Sequence, residues 1–350
     1  MAKRFGVAII GGSGYGAGEA IRLLTMHPDI EVSSVISRSH VGKPIASVHS
    51  HLAGVSTISF EETVNLEALC SYEKSAIILA MPSGLAVPTI KDLQAKGLPH
   101  SVKILDLSGD LRLRDRATHE KFYQEVPFAE EIRAACVYGL SELAREEIRL
   151  AQFITNPGCL ATAAILALAP LTENYLEKHV VVDAKTGTSG AGREPQASMH
   201  HPTRSEDFTA YKVLQHRHEP EILQALGANF AQSHEMSFVP HLIPVSRGIF
   251  VTAYATLAKQ FSQADISSRF KDFYKESPCI RMRSGPPRLV DIVGTNFCDI
   301  SVHVRERQLV VMSAIDNLGK GMASQAIQNL NILFGLPEST GLLFAALGPV

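Results

Sequence analysis

The chain has 350 residues, of which 45% are hydrophobic and 19% are charged, and its formal net charge is -2. This length exceeds what one core usually holds and predicts two domains, while the near-neutral charge argues against nucleic acid or an anionic membrane as a partner. The five cysteines are scattered and never in a CxxC spacing, which argues against a disulfide framework and a zinc site. We find neither a signal peptide nor an apolar run of membrane-spanning length, and we expect a cytoplasmic protein.

The first part of the chain alternates predicted strands and helices. Strands are expected at 5–10, 30–37, 56–60, 75–81 and 102–107, with helices at 19–27 and 85–96. Several of these strands are apolar throughout, which is typical of strands buried on both faces of a parallel sheet. The pattern predicts an α/β fold class, with a Rossmann dinucleotide-binding domain over residues 1–155.

A glycine-rich turn, G11-G-S-G-Y-G-A-G-E19, joins the first strand to the first helix. Strand, glycine turn, helix and strand form the unit that places a dinucleotide pyrophosphate on a helix N-terminus. Gly11 and Gly14 would let the backbone approach the phosphates. A flexible turn is the alternative interpretation, but the position at the start of this unit favours a cofactor.

The end of the second strand indicates which dinucleotide is bound. An NAD-specific fold would carry an acidic residue here, and this chain has Ser37, Arg38 and Ser39. The guanidinium of Arg38 offers a fork of donors for a 2′-phosphate, so we expect NADP(H). A solvated surface charge is the alternative role for Arg38. Arg112, after the strand at 102–107, is a candidate anion holder at the same sheet edge.

Cys159 stands at a predicted strand-to-helix elbow. A short strand at 151–155 and an apolar helix at 160–169 flank the turn N156-P-G-C159. A helix N-terminus favours thiolate over thiol, which would make this cysteine a nucleophile near neutral pH. The alternative is a small buried hydrophobic residue, which is the commoner role of a lone cysteine. The other motifs of the chain favour the nucleophile.

Longer and more alternating strands follow the elbow. They are expected at 180–186, 236–243, 249–257, 297–304 and 309–314, with helices at 218–226 and 265–274. This pattern predicts a second, α+β domain over residues 156–317 with a mixed, largely antiparallel sheet. A final helix at 321–334, within the segment 318–350, would pack back on the first domain.

Two polar clusters in this half carry further candidate site residues. The loop K185-T-G-T-S-G-A-G-R193 has the glycines, hydroxyls and arginine that suit an anion. If H216-R-H218 is extended, His216 and His218 point together and Arg217 points away. A metal pair is one interpretation of the histidines, but no Asp, Glu or Cys lies at a supporting spacing. We favour a base for Cys159 and expect no metal.

In this order and spacing, the motifs resemble the N-acetyl-γ-glutamyl-phosphate reductases of arginine biosynthesis, which are relatives of aspartate-semialdehyde dehydrogenase. The resemblance runs end to end and rests on residues 11–15, 37–39, 137–140, 156–159 with 161–162, 185–193, 210–212, 216–218 with 220–222, 240–244 with 247–249, and 313–318. It implies NADPH-dependent reduction of an acyl phosphate through a cysteine thioester. It also implies a homo-oligomer, a dimer or tetramer, formed through the second domain.

The motifs and the resemblance together give the candidate site residues. The candidate catalytic residues are Cys159, with His218 as the base and His216 as its substitute. The candidate cofactor residues are Gly11, Ser13, Gly14, Tyr15, Gly16, Ser37, Arg38, Ser39 and Asn317. The candidate substrate residues are Arg112, Ser189, Gly190, Arg193 and Arg217.

Two departures from the family pattern leave the acyl group open. Leu160 follows the nucleophile where the family usually has Phe or Tyr, and Ser-Met-His-His-Pro at 198–202 replaces the more common Thr-His-Phe arrangement. The His-His-Pro is similar to a sister group that reduces aminoadipyl or glutamyl phosphate on a small acidic carrier protein. A Cys-His hydrolase and a dinucleotide-binding redox sensor are the alternatives from other classes. The first has no use for the glycine turn, and the second would leave the loop at 185–193 unexplained.

Overall fold

The computed structural model describes residues 4–124, 126–172 and 174–348. The described residues form two compact units. One contains the chain up to Pro157 together with Met322–Leu342, and the other contains Gly158–Gly321 together with the residues from Leu343 onward. No helix in the described part of the chain is long and apolar enough to cross a membrane.

Among the described residues, the first unit is built on a parallel sheet of seven strands. They are β1 (Phe5–Ile10), β2 (Ile30–Ile36), β3 (Phe60–Glu61), β4 (Lys74–Leu79), β5 (Val102–Asp106), β6 (Cys136–Tyr138) and β7 (Phe153–Thr155). Their order is β3-β2-β1-β4-β5-β7-β6, and neighbouring strands run parallel. The chain reverses direction across the sheet between β1 and β4. In such sheets ligands bind beyond the carboxyl ends of the strands at this point.

Helices alternate with these strands. They are α1 (Tyr15–Thr25), α2 (Leu66–Cys70), α3 (Ala86–Ala95), α4 (Arg116–Phe122), α5 (Glu130–Ala134) and α6 (Ser141–Leu150). In α1 the buried residues Ala17, Ala20, Ile21 and Leu24 recur at helical spacing. This helix begins at Tyr15 rather than at the predicted residue 19, because Gly14 already has the extended backbone of an N-cap.

The second unit contains a mixed sheet and its helices. In chain order its elements are α7 (Cys159–Leu168), β8 (Leu176–Thr186), α8 (His201–Arg204), β9 (Thr209–Ala210), α9 (His218–Leu226), α10 (Ala228–Ser233), β10 (Glu235–Leu242), β11 (Ile249–Leu257), α11 (Gln263–Phe273), β12 (Ile280–Met282), β13 (Cys298–Arg305) and β14 (Gln308–Ile315). The strand order is β12-β13-β14-β11-β8-β10-β9. The β8/β10 and β12/β13 pairs are parallel, and the other neighbouring pairs are antiparallel. The predicted fold class is therefore confirmed.

Helix α7 forms the core of the second unit. Its residues from Leu160 to Leu168 are buried, and it packs against α9, β11 and β14. Alanine and leucine dominate this stretch and favour a helix, which ends before Pro170. Two side chains bond to its carbonyls: Ser313 Oγ donates to Ala163 O at 2.8 Å, and Tyr274 Oη donates to Leu166 O at 2.7 Å. Packing on all sides fixes where the helix begins.

The last helix is buried although it is rich in polar residues. A π-helical turn, Gly319–Ala323, precedes α12 (Ser324–Phe334), so the α-helix begins three residues later than predicted. In the first unit, Asn329 Nδ2 donates to Gly139 O at 2.8 Å, and Gln325 Nε2 donates to Ser141 Oγ at 2.8 Å. These hydrogen bonds offset the cost of burying the side-chain amides.

Candidate active site

Cys159 is the first residue of α7 and is partly exposed. Gly158 is the N-cap, with an extended backbone at φ -66° and ψ 142°. The first intrahelical bond of this turn runs from the Thr162 N–H to Gly158 O at 2.8 Å. The N–H groups of residues 159–161 therefore have no intrahelical partner, and this end of the helix favours a negative charge. The structure confirms the predicted position of the cysteine at a helix N-terminus.

The imidazole of His218 lies against the residue that precedes Cys159. A Cβ atom added to Gly158 would be 2.3 Å from His218 Nε2, 2.7 Å from Cε1 and 2.8 Å from Cδ2. The His218 side chain is only 5% exposed, so its ring is held in this position by its surroundings. The glycine is therefore required by the close approach of the ring.

The two histidines lie together, but the predicted extended segment is wrong. Arg217 has helical backbone angles, φ -59° and ψ -15°, and the Glu219 N–H donates to His216 O at 3.0 Å. Helix α9 thus begins at His218, two residues before Pro220. The rings still meet, with centroids 4.6 Å apart and an interplanar angle of 76°. They meet because His216 Nδ1 accepts the main-chain N–H of His218 at 3.1 Å.

The surroundings of His216 keep its ring neutral. Burial, followed by the positive charges of Arg217 and Lys212, lowers the pKa of His216 to about 3. Tyr211, whose ring is edge-on to His216 with centroids 5.6 Å apart, has a raised pKa because of burial and the nearby Cys159 charge. A neutral imidazole and a protonated phenol therefore flank the site. The sequence singled out Tyr211 only as part of the A210-Y-K212 motif.

A buried carboxylate in this site was not among the predicted residues. Glu221 lies in α9 three residues after His218, is 0% exposed, and its Oε1 accepts the Gly158 N–H at 2.7 Å. Residues three apart on a helix share a face, and this spacing was the signal available in the sequence. The bond uses the N–H next to the cysteine and ties the start of α7 to α9.

Gly321, in the π-helical turn, also lies against the cysteine. A Cβ atom on Gly321 would be 2.8 Å from Cys159 Cβ and 3.3 Å from its Cα. Gly321 therefore gives Cys159 its space, as Gly158 gives space to the His218 ring. Neither close approach can be read from the sequence, because His218 is distant from Gly158 along the chain and Gly321 is distant from Cys159.

Asn317 and Ser189 are brought together in the second unit. Asn317 Oδ1 accepts the Gly248 N–H at 2.8 Å, and its Nδ2 donates to Ser189 Oγ at 2.9 Å. Gly190 follows Ser189 in a 3-10 turn, Thr188–Ala191. Arg193 is exposed beyond this turn, and Arg217 precedes α9.

Arg112 lies in the first unit and is 5% exposed. Its Nε donates to Asn156 O at 2.8 Å, and its Nη2 donates to Leu107 O at 3.3 Å. The side chain therefore holds the main chain three residues before Cys159. Arg112 was predicted to hold an anion. In the structure its guanidinium group donates to these two main-chain carbonyls.

The glycine turn of the first unit leaves space at the start of α1. Gly11 has a φ of 87°, and an added Cβ would be 2.5 Å from Ala80 O, while one on Gly16 would be 2.3 Å from Met322 Sδ. At Gly14, the N-cap, an added Cβ would meet no described atom closer than 3.9 Å. Packing thus explains Gly11 and Gly16, whereas the open space at Gly14 fits a phosphate group beside Ser13 and Tyr15.

The end of β2 fits a 2′-phosphate. Arg38 is exposed and has no ion-pair partner among the described residues. The hydroxyls of Ser37 and Ser39 lie 3.4 Å apart, and His40 Nδ1 is 3.2 Å and 2.8 Å from them, respectively. His40 was not among the predicted residues, although it directly follows the predicted serines.

In the described chain, no cluster of three His, Cys, Asp or Glu residues suits a metal ion.

Two family models match the chain. Residues 6–151 match "Semialdehyde dehydrogenase, NAD binding domain", and residues 159–317 match "Semialdehyde dehydrogenase, dimerisation domain". The fold is similar to that of aspartate semialdehyde dehydrogenase II from Vibrio cholerae, with a TM-score of 0.69 at 15% identity, over 95% of this chain and 99% of that chain.

Curated relatives match nearly the whole chain. The N-acetyl-gamma-glutamyl-phosphate reductase of Oceanobacillus iheyensis is 42% identical, and that of Pelotomaculum thermopropionicum is 41% identical. Both alignments cover 98% of this chain and 99% of the relative. The resemblance predicted from the motifs is confirmed. The chain belongs to the N-acetyl-gamma-glutamyl-phosphate reductase family, within the semialdehyde dehydrogenases.

Proposed function

We propose that this protein reduces N-acetyl-γ-glutamyl phosphate to N-acetylglutamate 5-semialdehyde and phosphate with NADPH, in arginine biosynthesis. The name of its relatives states this substrate, and the identity extends over almost the full length. The observation that carries the proposal is the start of α7, where Cys159 is at the helix N-terminus and the His218 ring is against Gly158.

Cys159 is the nucleophile in this proposal. Its thiolate attacks the carbonyl carbon of the acyl phosphate, a carbon–sulfur bond forms, and the bond to the phosphate oxygen breaks. The cofactor, when bound, would supply the hydride that reduces the carbonyl carbon of the resulting thioester. Breaking the carbon–sulfur bond then releases the aldehyde and restores the thiolate. The helix N-terminus stabilises the negative sulfur before and after the reaction.

His218 is the base, and His216 orients it. With a pKa of about 3, His216 is too weak a base to take a thiol proton near neutral pH, and its Nδ1 already accepts the His218 N–H. His218 takes the proton of Cys159 and passes it to the departing phosphate.

The oxyanion is stabilised by N–H groups at the start of α7. Because Glu221 accepts the Gly158 N–H, that group is already engaged. The N–H groups of Leu160 and Ala161 belong to the first turn and lack intrahelical partners. We assign the oxyanion to this turn.

The cofactor binds to the first unit, within residues 1–155. The pyrophosphate would lie at the open N-cap beside Ser13 to Gly16, and the 2′-phosphate beside Arg38 with Ser37 and Ser39. Arg38 is exposed at the end of β2, where no acidic residue stands, which supports NADP(H) over NAD(H). Asn317 is the further cofactor candidate. Its amide already bonds to Ser189 and Gly248, so in this proposal Asn317 positions the Ser189 side chain.

The substrate binds to the second domain, within residues 156–317. The hydroxyl of Ser189, the N–H of Gly190, and the guanidinium groups of Arg193 and Arg217 would receive its phosphate and carboxylate groups. Arg112 is the weakest of the candidates, because two of its nitrogens already bond to carbonyls.

A carrier-bound aminoadipyl or glutamyl phosphate is the second candidate substrate. The Ser-Met-His-His-Pro segment at 198–202 favours it, and both histidines of this segment are exposed at the start of α8. The reaction at Cys159 would be the same. The group attached to the amine would differ, and in the aminoadipyl case the acyl chain would also be longer by one methylene.

We also propose that the protein is a homo-oligomer formed through the second domain. Residues 159–317 match a family model described as a dimerisation domain. In β11, Val251 and Ala253 are buried, whereas Tyr254 is 45% exposed, so an aromatic side chain of this strand is accessible to a partner. The five cysteines are free thiols, which fits a cytoplasmic protein.

Absorbance at the nicotinamide band tests the function. Enzyme, NADP, phosphate and N-acetylglutamate semialdehyde should give NADPH formation that requires phosphate. A hydrolase would produce no NADPH, and a redox sensor would bind the cofactor without turnover. Comparing free N-acetylglutamyl phosphate with a carrier-bound substrate in the forward direction distinguishes the two candidate substrates.

A further inference from the structure

The segment at 41–54, between β2 and β3, carries a buried histidine. His49 is 3% exposed and stands between two 3-10 turns, Ile45–Ser47 and Ser50–Leu52. Its Nε2 is 2.7 Å from the main-chain oxygen of Gly12. Because a carbonyl oxygen only accepts hydrogen bonds, Nε2 carries the proton and donates.

The same ring packs against the start of α1. A Cβ atom on Gly18 would be 2.5 Å from His49 Nδ1 and 2.7 Å from its Cε1. Gly18 is four residues beyond the N-cap, and its N–H donates to Gly14 O at 3.0 Å. His49 therefore contacts the glycine turn at Gly12 and the helix that follows it at Gly18.

The bond from His49 determines the direction of the next N–H group. In a planar trans peptide, the oxygen of Gly12 and the N–H of Ser13 point in opposite directions. With the oxygen held by His49, the Ser13 N–H points away from the ring. This N–H makes no hydrogen bond within the described part of the chain, whereas Gly11 and Gly12 both donate to Ile36 O, at 3.1 Å and 2.9 Å.

We propose that His49 is a positioning residue for the dinucleotide. By holding the Gly12 oxygen, it directs the Ser13 N–H toward the open space at Gly14, where that N–H donates to the pyrophosphate. The proposal rests on the cofactor site described above. Because the pyrophosphate is common to NAD and NADP, His49 acts on both equally, unlike Arg38.

The test is a comparison of ligands that contain or lack the pyrophosphate. His49→Phe keeps a ring against Gly18 but has no donor, while His49→Gln keeps an N–H donor. His51→Phe is the matched control, since His51 is exposed and its ring centroid is 6.0 Å from that of His49. Dissociation constants are measured by calorimetry for NADP, NAD and 2′-AMP, which has the 2′-phosphate but no pyrophosphate.

We expect His49→Phe to weaken NADP and NAD by the same factor, about 10-fold or more, as for a lost hydrogen bond to a charged group. Its affinity for 2′-AMP should equal that of the wild type, and His49→Gln should recover most of the NADP affinity. Equal weakening of NADP and 2′-AMP would show that the ring only supports the fold. Unchanged NADP binding in His49→Phe would refute the proposal and leave the function standing, whereas a wild-type protein that does not bind NADP would refute both.

A second variant displaces the His49 ring without changing His49 itself. Gly18→Ala is compatible with a helix, and its Cβ would displace the imidazole from the position in which it bonds to Gly12 O, so NADP affinity should fall while 2′-AMP affinity is kept. In a His49→Ala background the Gly18→Ala change should have no further effect, because the ring through which it acts is absent. Additive losses would contradict the role of His49.

Discussion

Replacing Gly158 by alanine should separate activity from stability. The backbone at φ -66° and ψ 142° is allowed for alanine, so the change adds no backbone strain. Its Cβ, however, would be 2.3 Å from His218 Nε2. Because carbon atoms in contact prefer about 3.5 Å, the ring must retreat by roughly 1 Å.

This displacement should affect the reaction at least as much as folding. A 1 Å misplacement of a catalytic group costs about 100-fold in rate, which corresponds to about 2.7 kcal/mol of transition-state stabilisation. Crowding in the folded state costs about 1–3 kcal/mol, and the loss of glycine freedom in the unfolded chain returns about 0.4–1 kcal/mol. The free energy of unfolding should therefore fall by about 0 to 2.6 kcal/mol.

The assays are kcat/KM for the acyl phosphate, the dissociation constant for NADP and urea unfolding. Gly285→Ala is the control, because a Cβ at Gly285 meets no described atom within 4 Å and should change none of the three. Gly158→Ala should lower kcat/KM about 100-fold and leave NADP binding intact. A wild-type kcat/KM in this variant would refute the role of the His218 ring at Cys159.

Four further results are expected. Cys159→Ala should abolish turnover and keep NADPH binding, and iodoacetamide should label Cys159 before the other cysteines; residual turnover near wild type would exclude the covalent mechanism. Arg38→Ala should weaken NADPH by about 10- to 150-fold and leave NADH nearly unchanged, as a lost hydrogen bond to a charged group implies, whereas equal weakening of both would assign Arg38 another role. His218→Ala should move the pH profile of Cys159 alkylation to higher pH. A shift seen only in His216→Ala would mean that His216 is the base and His218 is not. Because the pKa of His216 is about 3 in the folded protein against an ordinary 6.5, the unfolded state binds more protons between these values. Stability should therefore fall by up to about 1.4 kcal/mol per unit as the pH drops below about 6.5, a slope that His216→Gln should lose in urea titrations.

The sequence predicted those parts of the fold that depend on neighbouring residues. The apolar run of β1, the glycine turn and the Ala- and Leu-rich α7 each fix their conformation locally, so both the dinucleotide unit and the position of Cys159 could be inferred. Helices α4 and α5 are short and polar, and they were missed because their patterns resemble loops. The strand predicted at 56–60 is only two residues long in the structure, Phe60–Glu61.

The part of the site that the sequence missed depends on contacts between distant segments. Glu221 takes the Gly158 N–H only because α9 packs on α7, and Gly321 reaches Cys159 only through the π-helical turn. The histidine pair was expected from an alternation rule for extended chain. Its segment is instead a turn that opens α9, and the rings meet through the bond from the His218 N–H to His216.

Helix α12 has a consequence for the order in which the protein is made. It completes the first unit, yet it is synthesised after the main segment of the second, Gly158–Gly321. Until it emerges from the ribosome, Gly139 O, Ser141 and Asn156 lack the amide partners that Asn329 and Gln325 provide. Domains usually fold from the N-terminus as they are made. In this protein the first unit receives its last helix only after the main segment of the second unit has been made, and a chain that stops before Ser324 lacks that helix.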